Sequence, residues 1–528
     1  MMQRRSFLAA TGGVAMAALA RPAVAAPAQV LKFIPQADLA LLDPIQTTAA
    51  VTRNHALMVF DTLYGVDDAL TPQPQMVEGH RVEEDGKRWI LTLREGLRFH
   101  DGTPVLARDA VASIRRWGSR DSYGQSLMAE VDELSASDDR TIQFRLKRPW
   151  RLLPNALAKP GPNICAIMPE RLASTPATVQ VTEMVGSGPF RFLANERVSG
   201  AHVAYERFDG YVSRAGGTTS FQAGPKRATL DRVEWHTIPD PSTAAAAMQS
   251  GEMDWWEQAS FDLLPLMRRG RELVIEASDA FGTQCILRFN TLTSPFDRPE
   301  MRRAILGALN QADVMTAVAG DDKAMWRDGV GFFAPGSTMA NDAGMAVLKG
   351  PRDIAAARRA LTAAGYAGER IVMPAPTDFP TINAMSEVTA DMFRQLGINL
   401  DYQPMDWGSM IQRLASRQPV EQGGWSAFCI WVPGITAVDP AAHTYLRGTG
   451  TNTTFGWPSC PGVERLRNAW IDASDTAGQQ RLARELQETA FQELPYLPLG
   501  TFYQQTVYHR RVRGVLKGQP LFYNVSKA

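Results

Sequence analysis

Apolar residues recur with two different periods along the first part of the chain. In residues 89–94 and 141–147 they alternate with polar residues, which is typical of a strand buried on one face. The apolar run at 30–34 predicts a strand near the start, and residues 190–193 predict another one. Residues 107–117 instead place their apolar side chains on one side of a helix. The pattern therefore predicts strands and helices in one folded unit.

The second half of the chain alternates predicted helices with short strands. Helices are predicted at residues 302–318, 353–364, 382–396 and 463–491. Strands are predicted from residue 372 onward and at 398–402, 495–500 and 501–508. Gly397 lies between a helix and a strand, where it fits a helix C-cap. This alternation predicts an α/β arrangement.

The length of the chain requires more than one hydrophobic core. It has 528 residues, whereas single cores stop growing near ~250–300 residues. Hydrophobic residues make up 45% and charged residues 21%, which is ordinary for a folded globular protein. We therefore expect two or three folded domains and no extended disordered region.

Charge and cysteine content narrow the class of protein. Lys and Arg together number 55, as do Asp and Glu, so the basic excess of a general nucleic-acid binder is missing. The four cysteines are far apart and show no CxxC spacing, so neither a zinc site nor a disulfide framework is predicted. These are Cys165, Cys285, Cys429 and Cys460. One long-range disulfide and four buried free thiols both remain open.

The first 28 residues have the features of an export signal. Arg4 and Arg5 precede an apolar stretch at 7–20, as in a twin-arginine signal, and residues 23–25 suit signal peptidase. The stretch is shorter than the ~20 residues that a membrane span needs. An uncleaved anchor is the alternative, but we predict cleavage and a soluble periplasmic protein.

Recognisable catalytic motifs are missing from the sequence. There is no phosphate-binding loop, G-x-G-x-x-G, H-E-x-x-H or complete G-x-S-x-G motif. The seven histidines never pair at i and i+4, although residues from distant segments can converge on one site. We therefore expect no catalytic activity, no metal and no cofactor.

Aromatic residues cluster instead, most densely between residues 425 and 431. Trp425, Phe428 and Trp431 lie between the pairs Gly423-Gly424 and Pro433-Gly434, so we predict that a loop presents them. For any single tryptophan, packing between domains is a better explanation than contact with a ligand. For this run we favour contact with a ligand in a cleft.

An ordered set of short segments resembles one protein family. Residues 91–117, LTLREGLRFHDGTPVLARDAVASIRRW, are similar to a strand, a His-Asp-Gly turn and a helix of the family 5 extracellular solute-binding proteins. That group includes dipeptide-, oligopeptide- and nickel-binding proteins of ABC importers. Further matches occur in the same order at residues 42–44, 60–64, 72–78, 186–190, 251–254, 289–290, 295–297, 302–304 and 494–499.

The resemblance implies an α/β, bilobal periplasmic-binding-protein fold of type II, with an extra domain in the first lobe. The first lobe would take residues 29–60, 185–277 and 493–528. The extra domain would take 61–184, and the second lobe 278–492. The chain would cross the hinge twice, and the ligand would lie between lobes that close over it.

One position departs from the pattern of the peptide-binding members. Three residues after a tryptophan such as Trp425 they carry an aspartate that pairs with the ligand's ammonium group, and here this residue is Phe428. A buried ammonium without a carboxylate is costly, so we expect weak binding of simple dipeptides. Asp439 and Asp406 are the alternative carboxylates. The predicted ligand-binding residues are Trp425, Phe428, Trp431, Asp439, Trp407 and Asp406.

The function implied by the resemblance is transport. The protein would be a monomeric substrate-binding component that delivers a small molecule, peptide-like or otherwise, to an ABC permease with its ATPase subunits. It would meet the membrane only through that permease and would bind no nucleic acid. The alternatives are a secreted hydrolase and a sensor that reports a ligand to a receptor.

Overall fold

The computed structural model describes residues 28–528, so the predicted export signal lies outside the described residues except for Ala28. A seven-stranded sheet gathers strands from distant parts of the chain. In spatial order they are Leu273–Ala277, Gln505–His509, Trp255–Trp256, Val30–Ile34, Arg232–His236, His202–Arg207 and Phe190–Phe192. Val30–Ile34 runs parallel to both neighbours, and the other pairs are antiparallel. We call this the first sheet.

A second sheet has four antiparallel strands. In spatial order they are Trp326–Arg327, Leu497–Phe502, Thr283–Phe289 and Ala427–Pro433. Thr283–Phe289 is buried at every position, because partners flank it on both edges and other elements cover both faces. Beside this second sheet, Ile371–Pro376 and Leu400–Met405 form a parallel pair. Helix Pro380–Gln395 connects the two strands as a βαβ unit.

A third sheet lies within residues 61–184. Its antiparallel strands are Val77–Glu83, Arg88–Leu93, Thr141–Leu146 and Val131–Ala136 in spatial order. Helix Ala107–Gly118 packs on this sheet through Ala110 and Ile114, which are both fully buried. The apolar face of the helix, predicted from its 3.6-residue period, therefore packs against the apolar face of the sheet, predicted from the two-residue period of its strands.

Other helices and two short strand pairs complete the structure. The helices are Ala50–Val59, Ser122–Glu130, Leu153–Leu157, Glu170–Ala173, Pro241–Ser250, Leu264–Met267, Pro299–Leu306, Gln311–Ala319, Ile354–Ala363, Trp407–Leu414, Pro461–Asp472 and Thr476–Glu493. The strand pairs are Tyr64–Val66 with Pro72–Pro74, and Val512–Arg513 with Ser526–Lys527. Among the described residues, no helix combines the length and the apolar character that crossing a bilayer requires. All four cysteines are buried free thiols.

Most predicted elements are confirmed, including the helical residues at 463–491, which form two helices, but the single helix predicted at 302–318 is wrong. The span 302–318 is divided between Pro299–Leu306 and Gln311–Ala319, because Asn310 accepts a hydrogen bond from the Ala312 amide and starts a new helix. The span 463–491 is divided in the same way, because the Asp475 carboxylate accepts from the Gly478 amide at 2.7 Å. Gly397 adopts φ +77°, as the predicted C-cap requires.

The chain crosses twice between the first and second sheets. The crossings, at residues 278–282 and 503–504, lie side by side, and the Ser278 amide donates to the Gln504 carbonyl at 3.0 Å. Strand Leu497–Phe502 belongs to the second sheet, so the segment that rejoins the first sheet starts at Gln505. The division into lobes and an extra domain at particular residues stays a prediction.

Candidate functional site

A cavity lies between the first and second sheets, next to the two crossings. Its lining includes Arg53 and Glu257 from one side, Asp279 from one of the crossings, Trp431 and Pro433 from the other side, and residues 515–520. In this arrangement its volume is about 50 Å³, which is room for a few water molecules. A larger solute requires the two sides to move apart.

A buried arginine is held at the cavity by an amide and a carboxylate. Arg53 lies on helix Ala50–Val59, and its Nε and Nη2 donate to Asn54 Oδ1 at 3.3 and 2.9 Å. Asn54 Nδ2 donates to Glu257 Oε1 at 2.9 Å, and the Gln36 amide donates to Glu257 Oε2 at 2.8 Å. Within residues 28–528, Arg53 Nη1 has no hydrogen-bond partner. This chain of bonds fixes the guanidinium and leaves one donor nitrogen for a ligand.

Burial shifts the pKa of Arg53 and of Glu257, the two charged groups in this series of hydrogen bonds. It lowers the pKa of Arg53 to about 10, while the charges of Glu257 and Asp279 act in the opposite direction. It raises the pKa of Glu257, against the hydrogen bond from Gln36 and the charge of Arg53. At neutral pH a guanidinium with a pKa of about 10 is still charged. The cavity therefore presents a partly desolvated positive charge.

Two buried polar atoms of cavity-lining residues lack partners in the described part of the chain. They are Asp279 Oδ2 and Trp431 Nε1. Asp279 Oδ1 accepts from the Phe281 amide at 2.9 Å. Burial raises the pKa of Asp279 to about 6, while the backbone amides of Phe281 and Ile435 and the charge of Arg53 act in the opposite direction. Buried polar atoms are nearly always hydrogen-bonded in native proteins. A carboxylate oxygen and an indole N–H beside one cavity are therefore polar groups that a bound ligand would satisfy.

Trp431 is the predicted site residue that lines this cavity. Its ring centroid lies 5.8 Å from that of Phe379, which lies 5.3 Å from that of Trp407. Trp431 and Trp407 are both half-buried. The structure therefore links Trp431 to Trp407 through Phe379, an aromatic residue that is not among the predicted site residues.

The structure corrects the prediction that a loop presents Phe428 and Trp431, whereas Trp425 lies just before the strand and outside any helix or strand. Ala427–Pro433 is a strand paired with Thr283–Phe289, because its continuous apolar run suits a strand covered on both faces. Side chains alternate along a strand, so Trp431 and Pro433 share the face toward the cavity. Phe428 lies on the opposite face and is fully buried.

Trp425 and Phe428 pack away from the cavity in an apolar cluster. Its other buried members are Met410, Leu414 and Trp457. The rings of Trp425 and Phe428 meet edge to face with their centroids 5.0 Å apart, and Trp425 Nε1 donates to the Leu414 carbonyl at 3.2 Å. In this conformation neither side chain is exposed to a ligand.

The two predicted carboxylates accept hydrogen bonds from their own chain. Asp406 starts helix Trp407–Leu414, where its Oδ1 accepts from the Ser409 amide at 2.9 Å. Asp439 Oδ1 accepts from the Ala441 and Ala442 amides at 2.8 Å each. These are capping roles, and neither residue lines the cavity. Contact of either one with a ligand stays a prediction.

The site residues predicted from the sequence do not include Arg53, Glu257 or Asp279. Only Glu257 had a nearby indication, since it directly follows the Trp255–Trp256 pair. The three residues belong to segments more than twenty residues apart, and no spacing rule joins them. Their common property, a charge buried at one cavity, exists only in the folded chain.

Comparison with known proteins places the chain among characterised folds. Residues 71–456 match the family model "Bacterial extracellular solute-binding proteins, family 5 Middle". The chain is 36% identical over 527 residues to the "Probable peptide ABC transporter periplasmic-binding protein y4tO" of Sinorhizobium fredii, covering 99% of this chain and 98% of that protein. It is 26% identical to the "Glutathione-binding protein GsiB" of Pectobacterium atrosepticum, covering 95% and 93%.

A solved structure extends the similarity to three dimensions. The PBP AgaA of A. tumefaciens R10, in complex with agropinic acid, superimposes with a TM-score of 0.80 at 19% identity, covering 94% of this chain and 99% of AgaA. The fold is therefore the α/β, bilobal periplasmic-binding-protein fold of type II.

Proposed function

Because the chain belongs to the bacterial extracellular solute-binding proteins of family 5, we propose that it captures a small zwitterionic, peptide-like solute between its lobes and delivers it to an ABC importer. The observation that carries this proposal is the pairing, at one interlobe cavity, of a fixed guanidinium with a carboxylate that lacks a partner for one oxygen. A solute with one carboxylate and one ammonium group would satisfy both.

The arrangement assigns an end of the solute to each charge. Arg53 Nη1 would donate to the carboxylate of the solute, in a charge-assisted hydrogen bond. Asp279 Oδ2 would accept from its ammonium group, and Trp431 Nε1 would donate to a carbonyl between the two ends. With Phe428 in place of the aspartate of peptide-binding relatives, the ammonium group of a dipeptide needs a carboxylate elsewhere. Asp279 and Glu257 are two carboxylates at the cavity.

The names of the relatives point to the same class of solute. One similar protein is named for peptide transport and another for glutathione. Their sequence identities of 36% and 26% support a solute of that chemical type and leave its identity to measurement. The interlobe position agrees with the general preference of ligand sites for clefts between domains.

We further propose how the protein is exported and what it assembles with. It would reach the periplasm through the twin-arginine signal at 1–28, act as a monomer, and dock with a permease and its ATPases. The first lobe would comprise 29–60, 185–277 and the C-terminal segment, the extra domain 61–184, and the second lobe the rest. The membership of the first and third sheets supports this division.

We propose that the protein binds without changing its ligand. The similar proteins are named for binding and transport, not for catalysis. A hydrolase would release altered products after prolonged incubation, which mass spectrometry of the recovered ligand would detect. A sensor would bind equally well, but uptake of the solute would survive deletion of the gene.

Calorimetry with a matched ligand set tests the proposal. The set contains a dipeptide, its N-acetyl form without the ammonium group, its amide without the carboxylate, and glutathione. We expect each capped form to bind at least about tenfold more weakly than the free zwitterion, because one buried charge then loses its partner. The Arg53→Gln variant should bind the free dipeptide more weakly than the parent protein does, with no change in its affinity for the amide. The Asp279→Asn variant should also bind the free dipeptide more weakly, with no change in its affinity for the N-acetyl form.

Controls separate this site from the one predicted by sequence. Asp406→Asn and Asp439→Asn should bind like the parent protein, whereas Trp431→Ala should bind more weakly. If Asp439→Asn alone abolishes binding while Asp279→Asn does not, the site lies elsewhere. If no member of the set binds, the proposed zwitterionic class is wrong.

A further inference from the structure

Two histidines and a glutamate converge on the face of the first sheet that lies opposite its buried core. His202 begins one strand and His236 ends its antiparallel neighbour, so the two are direct cross-strand partners with ring centroids 4.9 Å apart. Glu234 lies two residues before His236 and therefore on the same face. One ring nitrogen of each histidine and one carboxylate oxygen lie within 4.8 Å of one another.

These three groups form a ligand set suited to transition metals. Imidazole nitrogens with a carboxylate are the ligands of zinc, nickel and copper sites, whereas magnesium and calcium prefer oxygen alone. Sites with three protein ligands commonly leave a fourth position to solvent. All three residues are half-buried, so the cluster is held by its surroundings and still reached from outside.

Hydrogen bonds orient the histidine rings for such a role. His202 Nδ1 lies 3.1 Å from the backbone carbonyl of Glu196, which can only accept, so Nδ1 carries the proton and Nε2 keeps the lone pair. A carbonyl partner of this kind is the usual support of a metal-binding histidine. His236 Nε2 lies 3.3 Å from Glu234 Oε2. A metal ion bound at this Nε2 requires the ring proton on Nδ1, so the neutral imidazole changes its tautomer and coordinates without losing a proton.

Two basic residues lie beside the cluster. Arg232 Nε donates to Glu234 Oε1 at 2.7 Å, and the same guanidinium also pairs with Glu196. Lys32 is the partner of Glu234 on the parallel strand. Arg232 occupies Oε1 and leaves Oε2 to the histidines, so it positions the carboxylate while its charge lowers the affinity for a cation.

We propose that His202, Glu234 and His236 bind a divalent transition metal ion, with Zn²⁺ as the probe, at a site separate from the interlobe cavity. This proposal does not depend on the solute that the cavity takes. Its basis is the convergence of three ligand atoms from two paired strands, together with the carbonyl that fixes the His202 tautomer.

Zinc titration of the full mature chain, produced without a histidine tag, tests the site. We expect one Zn²⁺ per chain by calorimetry and by metal analysis after dialysis, and no binding of Mg²⁺ or Ca²⁺. His202→Ala and His236→Ala should each weaken binding about tenfold or more, since even the loss of an outer hydrogen-bond partner costs 10–100-fold. The isosteric Glu234→Gln should weaken it as well.

Two further variants make the result specific. His80→Ala removes an exposed imidazole on the third sheet and should leave zinc affinity unchanged. Arg232→Gln removes the neighbouring charge and should raise zinc affinity. With Co²⁺ in place of Zn²⁺, the visible absorption of the parent should be missing in His236→Ala. Equal zinc affinity of the parent and the His202→Ala/His236→Ala double variant would overturn the proposal, as would an equal loss in His80→Ala.

Discussion

Asp279 combines a free oxygen with a shifted pKa, and this makes it the residue whose role is easiest to isolate. Its Oδ1 accepts from the Phe281 amide, its Oδ2 has no partner among the described residues, and burial raises its pKa to about 6. Arg53 supplies an opposing charge, and Glu257 is a second carboxylate at the same cavity. The side chain is therefore protonated at mildly acidic pH and ionised at neutral pH.

The raised pKa gives a sign to the pH dependence of ligand binding. An ammonium group binds the ionised carboxylate, so affinity should rise as the pH rises through 6. Between pH 5 and pH 7 the ionised fraction grows about tenfold, and affinity should follow by up to that factor. Calorimetry at the two pH values, with the parent and with Asp279→Asn, checks this. A pH dependence that persists in Asp279→Asn would assign it to another group.

The same shift has the opposite effect on the stability of the unliganded protein. The folded pKa lies above that of the unfolded chain, so the folded state holds the proton more tightly. The contribution of Asp279 to stability is therefore present below about pH 4 and falls as the pH rises through about 6. In the Asp279→Asn variant, the free energy of unfolding measured by denaturant titration should not show this loss between about pH 4 and about pH 6.

Strand Ala427–Pro433 shows how one element serves the core and the cavity at once. Its two-residue period places Phe428 among Trp425 and Trp457 on one face, and Trp431 at the cavity on the other. In the sequence this segment is an apolar run between a Gly-Gly and a Pro-Gly pair. A buried strand and a loop that presents aromatic residues would both show this pattern. Only the pairing with Thr283–Phe289 decides between them.

The two faces of this strand predict opposite phenotypes for matched substitutions. Phe428→Ala leaves a cavity in a fully buried cluster and should lower the free energy of unfolding by about 3–5 kcal/mol. Trp431→Ala removes a half-buried ring and should destabilise less, but it should weaken ligand binding. Urea titration and calorimetry on both variants measure the contrast. Strong loss of binding in a folded Phe428→Ala protein would instead support the original prediction for Phe428.

At the scale of the whole molecule, the sequence predicts the architecture better than the site. Ordered segments such as 91–117 and 186–190 point to a family, and family membership carries the bilobal fold with it. The cavity draws on residues from Gln36 to Pro520, and its distinguishing features are a free oxygen on Asp279 and a free nitrogen on Arg53. Such features depend on which groups are left without partners after folding, and no local pattern records this.

Two polar contacts join the region of the third sheet, residues 61–184, to the C-terminal part of the chain. Arg148 pairs with Asp472 across this boundary, and Arg447 Nη1 donates to the Ser122 carbonyl at 3.2 Å. The side chains of Arg148 and Asp472 are each more than 40% exposed. An exposed ion pair contributes at most about 1 kcal/mol and weakens with salt.

Breaking this ion pair should therefore shift the lobes without unfolding them. Asp472→Asn should lower the ratio of closed to open molecules by up to about fivefold, which small-angle scattering of the unliganded protein would register as a larger radius of gyration. The melting temperature should change little, because both side chains are exposed, and raised salt should shift the parent in the same direction. Asp132→Asn is the matched control, since Asp132 pairs with Arg145 within the third sheet and crosses no boundary. An equal change in both variants would show that the Arg148–Asp472 pair does not control closure.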